Sequence, residues 1–369
     1  MSWIWGVPAA LAALYYLVAL IAALKRLGVR STPTGFSPPV SILKAVYGRD
    51  PHFYEAIRSH AMLDYPDYEI LFGVSDAADP AVADIERLQR DFPDRAIRLV
   101  CVRTAAPNGK AGVLAELAGQ ARHPILVVSD ADITVESGYL RTVVAPLADP
   151  SVGLVTCLYR GAGEGWPARL EALGIATDFA PSVLVAPLAG VVEFAFGSTI
   201  AVRAADLART GGFAALLEYL ADDYQLGRRI SRLGLRVVLS EQVVETHLRD
   251  QTWAQVWRHQ LRWARTIRVS RTGGYYGSLV TQATLWALVA GAAGQWGTAA
   301  AVMTLRLAAG LLVGIRILGD RNVARWWFLM PVRDLAGFAV WLAGGVGSTV
   351  EWRGRRLRLD PGGRITPQV

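Results

Sequence analysis

Only two cysteines, Cys101 and Cys157, occur in 369 residues. Both lie in apolar, strand-like runs, which reads as plain core packing and argues against a disulfide framework or a Cys-ligated metal. Charge is scarce as well: 19% of residues are charged against 53% hydrophobic, with 12 tryptophans and a mean hydropathy of +0.30. That balance is too apolar for an ordinary soluble enzyme and points to membrane segments joined to a globular part. No internal repeat or low-complexity segment is evident. The net charge is +7 and the pI near 9.6, yet no basic tract sits within a nucleic-acid fold signature. The basic residues flank apolar runs instead, so the expected anionic partner is a lipid bilayer surface and not nucleic acid.

Residues Trp3 to Leu24 are almost wholly apolar, about long enough to span a bilayer, and Lys25, Arg26 and Arg30 follow at once. Positive charge after the apolar run, rather than before it, argues against a cleaved signal peptide. The positive-inside rule then places the N-terminus outside and the following chain in the cytoplasm. Ser31 to Pro39, with three prolines, reads as a linker.

From Val40 to about Ser240 short apolar runs alternate with helix-like stretches. Strands are expected at Val40–Leu43, Glu69–Val74, Ile97–Val102, Ile125–Ser129, Val152–Leu158, Ser198–Val202 and Arg236–Leu239. Helices are expected at Pro51–Met62, Pro80–Asp91, Lys110–Ala121, Glu136–Leu147 and Asp222–Leu233. This alternation predicts an α/β domain, a mostly parallel sheet with helices on both faces.

Within it, Val127-Val128-Ser129-Asp130-Ala131-Asp132-Ile133 places two aspartates at the C-terminal end of an apolar strand. In an α/β sheet that end opens into the ligand crevice. Two carboxylates there suit a hard divalent cation, Mg²⁺ or Mn²⁺, although a D-x-D alone reads more readily as a strand-end turn. Asp76 closes another strand, Asn108-Gly109-Lys110 is a turn opening a helix, and Asp222-Asp223 starts a helix. Each of these has its own structural reading as a turn or an N-cap.

Trp253 to Arg271 sets Trp253, Val256, Trp257, Leu261, Trp263 and Ile267 among five arginines, Arg258, Arg262, Arg265, Arg268 and Arg271. This pattern suits a helix lying in the membrane interface, or equally an amphipathic packing helix. Spans are then expected at Leu279–Gly294, Thr298–Leu318 and Pro331–Val350, with a basic tail beyond; three spans would put that tail outside, against the positive-inside rule, so a re-entrant or interfacial segment among them is the alternative. The resulting division is an N-terminal transmembrane anchor (1–30), a catalytic domain (31–250), an interfacial helix (251–275), C-terminal transmembrane segments (276–350) and the tail (351–369).

Taken in order, a strand-end Asp, a D-x-D, a D-D helix start and a (Q/R)-x-x-R-W-like stretch, His259-Gln260-Leu261-Arg262-Trp263, resemble the processive-type inverting glycosyltransferases of the GT-A fold. The strings Ser41-Ile42-Leu43-Lys44, Leu63-Asp64-Tyr65-Pro66, Asp76-Ala77-Ala78-Asp79-Pro80 and Leu220-Ala221-Asp222-Asp223-Tyr224 are similar to ceramide glucosyltransferases. Val152 to Gly161, Phe196-Gly197-Ser198-Thr199-Ile200-Ala201 and Leu261 to Arg268 are closer still to a bacterial hopanoid-biosynthesis branch. The resemblance runs from about Val40 to Arg268.

It implies that Asp76 holds the uridine of a UDP-sugar donor and that Lys110 meets donor ribose or phosphate. Asp130 and Asp132 would hold the metal and the donor diphosphate, and Asp223 would act as general base. His247 would be a third metal ligand, with a surface-loop histidine as the other reading. Gln260, Arg262 and Trp263 would serve the diphosphate and acceptor side, and here the family's (Q/R)-x-x-R-W departs, since its first position is His259. The implied activity is transfer of glucose or N-acetylglucosamine to a membrane lipid hydroxyl, on a hopanoid polyol or a ceramide, at the cytoplasmic face of a bacterial inner membrane. A processive polysaccharide synthase of the same fold and a non-catalytic membrane scaffold are the alternatives.

Overall fold

A computed structural model describes residues 6–29, 35–249 and 251–368. Trp3, Arg30 and the start of the expected linker, Ser31 to Thr34, lie outside the described residues. The chain divides into two compact units. One comprises Arg30–Tyr159 and Val192–Arg249, the other Met1–Val29, Arg160–Val191 and Asp250–Val369.

The first unit is built on a sheet. Its strands are β1 (Val40–Val46), β2 (Tyr68–Val74), β3 (Ala96–Cys101), β4 (Ile125–Val128), β5 (Ile133–Thr134), β6 (Val152–Ala162), β7 (Ile200–Arg203) and β8 (Arg236–His247). They lie in the order β3-β2-β1-β4-β7-β6-β8-β5. β3, β2, β1 and β4 run parallel, whereas β7 is antiparallel to both β4 and β6, and β5 to β8. All seven expected strands are present. β5, at two residues, is too short to leave a periodic trace in the sequence.

Why these runs form strands follows from where they sit. β2 is buried along its whole length and β1 nearly so, because helices cover both faces of a parallel sheet and leave no polar side to alternate. The helices Phe53–Ala61 and Ala81–Asp91 turn Ile57, Ile85 and Leu88 onto one face, and Gly109–Gln120 turns Leu114 and Leu117 onto the other. Ile42 and Leu71 are fully buried in the central strands, and truncating either to Ala would cost about 2–5 kcal/mol. Register sets the site: Val46 pairs with Val74, Val74 with Cys101 and Leu43 with Val128. The carboxyl ends of β1, β2 and β3 therefore finish level, while β4 ends earlier, opposite Leu43.

The second unit is helical. Three of its helices are long and apolar enough to cross a membrane: Val7–Gly28, Gly165–Ala189 and Trp296–Ile317. Val7–Gly28 and Trp296–Ile317 correspond to the expected anchor and to Thr298–Leu318. The others differ from expectation. Leu279–Gly294 contains only a ten-residue helix, Ala283–Ala292, and Pro331–Val350 a 15-residue helix, Met330–Gly344, both short of the roughly 20 residues a bilayer needs. Gly165–Ala189 was expected as part of the catalytic domain 31–250. Glu171, Asp178 and Pro181 interrupt its apolar run, which hides a span from a reading that looks for unbroken hydropathy, while a π-helical turn at Ile175–Phe179 keeps the helix continuous.

The tail also differs. It folds as β9 (Thr349–Trp352), β10 (Arg355–Leu359) and β11 (Ile365–Pro367), an antiparallel sheet. Arg353 and Gly354 both have positive φ, 50° and 72°, the conformation a two-residue hairpin turn requires. Leu357, Leu359 and Ile365 are buried beneath its arginines.

Ala12, Ala19, Ala283 and Ala309 line a shared core in the helical unit, small side chains that let helices approach closely. Arg306 is fully buried there. Its guanidinium donates to Asp334 at 2.7 and 3.1 Å and lies 5.3 Å from the centre of the Tyr16 ring. The helix Trp253–Ser270 begins with a capping box between Thr252 and Gln255 and leaves Trp253, Trp257 and Ile267 exposed.

Candidate active site

The strand ends of the sheet unit carry the acidic cluster. β4 ends at Val128, and Ser129-Asp130-Ala131-Asp132 turns the chain into β5. Opposite it, Phe196 to Thr199 forms a tight turn, with the Thr199 N–H donating to the Phe196 carbonyl at 3.0 Å. β7 then pairs with β4 through Val128 and Ile200. This places Gly197 across from Asp130.

Gly197 joins two of the expected site residues. Its carbonyl accepts the Asp130 N–H at 3.2 Å, and its own N–H donates to Asp223 Oδ2 at 2.9 Å. The other oxygen of Asp223 accepts the Tyr224 N–H at 2.7 Å. A Cβ at position 197 would lie 2.7 Å from Lys110 Nζ and 2.8 Å from Asp130 Oδ2, so no side chain larger than hydrogen fits without moving the site.

Lys110 Nζ contacts Asp130 Oδ1 at 2.5 Å. Asn108 caps the helix that carries it, accepting the Ala111 N–H at 3.0 Å and donating to the Tyr219 carbonyl at 2.7 Å. That second bond ties the helix start to the loop leading into Asp222. Burial alone would lower the Lys110 pKa, but Asp130, and then Asp222 and Asp223, hold it above its ordinary value. Burial pushes the carboxyl of Asp223 up to about 6, with the charge of Asp222 adding to the rise. Burial and the charge of Asp130 likewise raise Asp132. A carboxylate with a raised pKa at a strand-end crevice is suited to accept a proton near neutral pH.

Asp132 and Asp130 are hard oxygen donors side by side, and their mutual repulsion is what a divalent cation would relieve. Asp132 Oδ2 accepts the Thr246 hydroxyl at 2.7 Å, which orients the carboxylate. These two residues fit a divalent ion. His247 is not gathered with them: among the described residues no group of three or more His, Cys, Asp or Glu side chains is arranged to hold a metal. The pairing of β5 with β8 brings the His247 N–H to the Asp132 carbonyl at 3.1 Å. Its ring, however, meets Thr134 Oγ1 at 2.8 Å and stacks on His52 with centroids 4.9 Å apart.

Asp76 stands at the end of β2, with Oδ1 accepting the Ala78 N–H at 2.9 Å in an exposed turn. Gln260, Arg262 and Trp263 lie in the helical unit, on Trp253–Ser270. There Gln260 Nε2 donates to Glu171 Oε1 at 2.9 Å, and the Trp263 ring lies 4.7 Å from that of His259. His259 Nδ1 meets the same Glu171 oxygen at 2.6 Å, so the residue that departs from the motif has a carboxylate partner.

Lys44 has no role assigned from the sequence. It lies within β1, is fully buried, and donates to the Asp130 carbonyl at 2.9 Å and to Ser129 Oγ at 3.3 Å. Burial pushes its pKa down to about 7. His60 Nε2 reaches the same Ser129 hydroxyl at 3.2 Å. The signal was a lysine inside an otherwise apolar central strand, where a charged side chain is retained only with partners.

Comparison with known proteins agrees with this architecture. Over 230 residues the chain is 27% identical to "Ceramide glucosyltransferase 3" of Caenorhabditis elegans, covering 62% of this chain and 50% of that protein. A second match, "Beta-monoglucosyldiacylglycerol synthase" of Synechocystis sp., is 28% identical over 118 residues, 31% of this chain and 24% of that protein. The chain thus spans about half the length, or less, of these relatives. A mannosyltransferase from Pyrobaculum calidifontis, solved in complex with GDP-Man and Mn²⁺, shares the fold with a TM-score of 0.60 at 22% identity, covering 92% of this chain and 97% of that one. The glycosyl transferase family 21 model matches residues 6–365, nearly the whole chain and both of its units, and the chain belongs to that family.

Proposed function

We propose that the chain is a membrane glycosyltransferase that moves a hexose, glucose or N-acetylglucosamine, from a UDP-sugar to a hydroxyl of a membrane lipid with inversion. The observation that carries this reading is the meeting of Asp130, Lys110 and Asp223 around Gly197 at the strand ends, in a chain whose other unit has three membrane-length apolar helices. The relatives named for ceramide and diacylglycerol products support a lipid acceptor. A hopanoid polyol or a ceramide is the acceptor class, and a bacterial inner membrane with the sheet unit in the cytoplasm is the setting.

A lipid hydroxyl is a weak nucleophile. Asp223 takes its proton as the acceptor oxygen bonds to the anomeric carbon and the bond from that carbon to the diphosphate breaks. With one base and no second carboxylate acting as nucleophile, a single displacement inverts the anomeric centre. Asp130 and Asp132 would hold a divalent cation, Mg²⁺ or Mn²⁺, which when bound would offset the charge gathering on the leaving diphosphate. Lys110 contributes a further positive charge beside Asp130, and Asp76, after the end of β2, would meet the uridine. Arg262, with Gln260 and Trp263, serves the diphosphate and acceptor side.

Membranes containing the protein, incubated with radiolabelled UDP-glucose or UDP-N-acetylglucosamine, test this. A labelled product that partitions into organic solvent supports lipid transfer. A labelled polymer would instead establish a processive synthase, and no product beyond the vector control would leave a scaffold.

A further inference from the structure

Within the helical unit, Glu171 lies on Gly165–Ala189 and is 2% exposed. A carboxylate in a membrane-length apolar helix is costly, and such residues are kept where they serve a function. The protein's donors converge on one of its two oxygens. His259 Nδ1 and Gln260 Nε2 reach Oε1 at 2.6 and 2.9 Å, and Arg333 Nη2 holds the far end of Gln260 through Oε1 at 3.2 Å. Oε2 is buried and has no hydrogen-bond partner among the described residues.

The cluster is built and not incidental. A Cβ on Gly174 would lie 2.1 Å from Arg333 Nε, and one on Gly337 2.7 Å from its Nη1. Two helices thus omit a side chain where the guanidinium passes. His259 retains 27% of its side-chain exposure, so the cluster opens on that side.

A buried carboxylate oxygen only accepts, and leaving it unpaired is unfavourable unless a donor arrives. A lipid with a hydroxyl or amide N–H in its head is a donor able to enter among apolar helices. We infer that Glu171 Oε2 is the acceptor for a hydroxyl or amide hydrogen in the head of the lipid that receives the sugar. His259 stands at the entrance, and Gln260 with Arg333 fixes the orientation of the carboxylate. This rests on the lipid-acceptor reading above.

The test uses the full-length protein in vesicles titrated with ceramide, measuring transfer from UDP-glucose and, separately, UDP-glucose binding. In Glu171→Gln the donors at Oε1 hold the amide oxygen in place, so the NH₂ takes the Oε2 position and meets a donor with a donor. The acceptor KM should rise about tenfold or more while UDP-glucose affinity stays within twofold. His259→Gln keeps a donor to Oε1 and should shift the acceptor KM much less. On the wild type alone, a ceramide methylated at both the amide nitrogen and the secondary hydroxyl, which keeps the primary hydroxyl but lacks both other head hydrogens, should lose about tenfold in kcat/KM, which keeps the test open if Glu171→Gln folds poorly. An unchanged acceptor KM in Glu171→Gln, an equal rise in His259→Gln, or parity of the two ceramides in the wild type would overturn the inference. Wild-type protein that labels no lipid from either UDP-glucose or UDP-N-acetylglucosamine, in vesicles of ceramide or of a hopanoid polyol, would instead overturn the lipid-acceptor reading.

Discussion

The ammonium of Lys110 sits 2.5 Å from Asp130 Oδ1 and offsets the charge of that carboxylate. Asp130 also lies beside Asp132, and Lys110 is held by Asp222 and Asp223 as well. One lysine therefore balances several carboxylates. On the proposed role of Asp130 as a metal ligand, a divalent ion arriving there would compete with it.

Removing that competitor should tighten metal binding in the absence of donor. Lys110→Met is expected to raise Mn²⁺ affinity by about three- to tenfold, a modest gain because Asp130 is 37% exposed and exposed ion pairs are screened. Electron paramagnetic resonance titration of free Mn²⁺ reads this directly. Unchanged or weaker binding would mean that the lysine does not compete at Asp130.

The second expectation concerns pH. Asp223 must be ionised to act as a base, and burial pushes its pKa up to about 6. Below that value kcat should fall about tenfold per pH unit, and above it the rate should level off. Asp222→Asn removes the neighbouring charge that helps raise it, so the acid limb should move to lower pH. Asp223→Asn should lower kcat by about 10²–10⁴-fold with donor binding retained. Its amide NH₂ must also face one of two N–H groups, Gly197 or Tyr224, costing about 1–3 kcal/mol of stability. A pH profile that ignores Asp222→Asn would remove Asp223 from the role of base.

Third, Arg306 and Asp334 form a buried pair, with Arg306 fully buried. Arg306→Met leaves the carboxylate uncompensated and should cost about 3–5 kcal/mol. Adding Asp334→Leu should recover most of that loss, because a paired charge is expensive to break and cheap to replace together. Thermal unfolding in detergent measures both. Equal instability of the single and double variants would contradict this account.

Topology supplies the fourth. With Lys25 and Arg26 in the last turn of the first apolar helix, protease added to inside-out vesicles should cut the sheet unit, and protease added to intact spheroplasts should spare it. Cleavage from the outside would reverse the orientation.

Local pattern fixed much of this protein. β2 and β4 were legible because parallel strands covered on both faces are continuous apolar runs, and the turn at Asn108-Gly109-Lys110 was legible because an N-cap has its own chemistry. Asp130, Lys110 and Asp223 were legible through their places at strand ends and helix starts, and through the resemblance those places carry. What tertiary structure decided was every relation that depends on chain segments distant in sequence. Gly197 acquires its role only when β7 pairs antiparallel with β4, since a glycine in sequence does not say whose carboxylates will press against it. His247 is drawn to Thr134 and His52 by the pairing of β5 with β8, which two residues of strand could not announce. Gly165–Ala189 belongs with the helical unit because Glu171 finds His259 and Gln260, and Arg333 threads past Gly174. Read one residue at a time, those charges look like the end of an apolar run; only their partners, some 90 to 160 residues away by the sequence numbering, make them tolerable inside it.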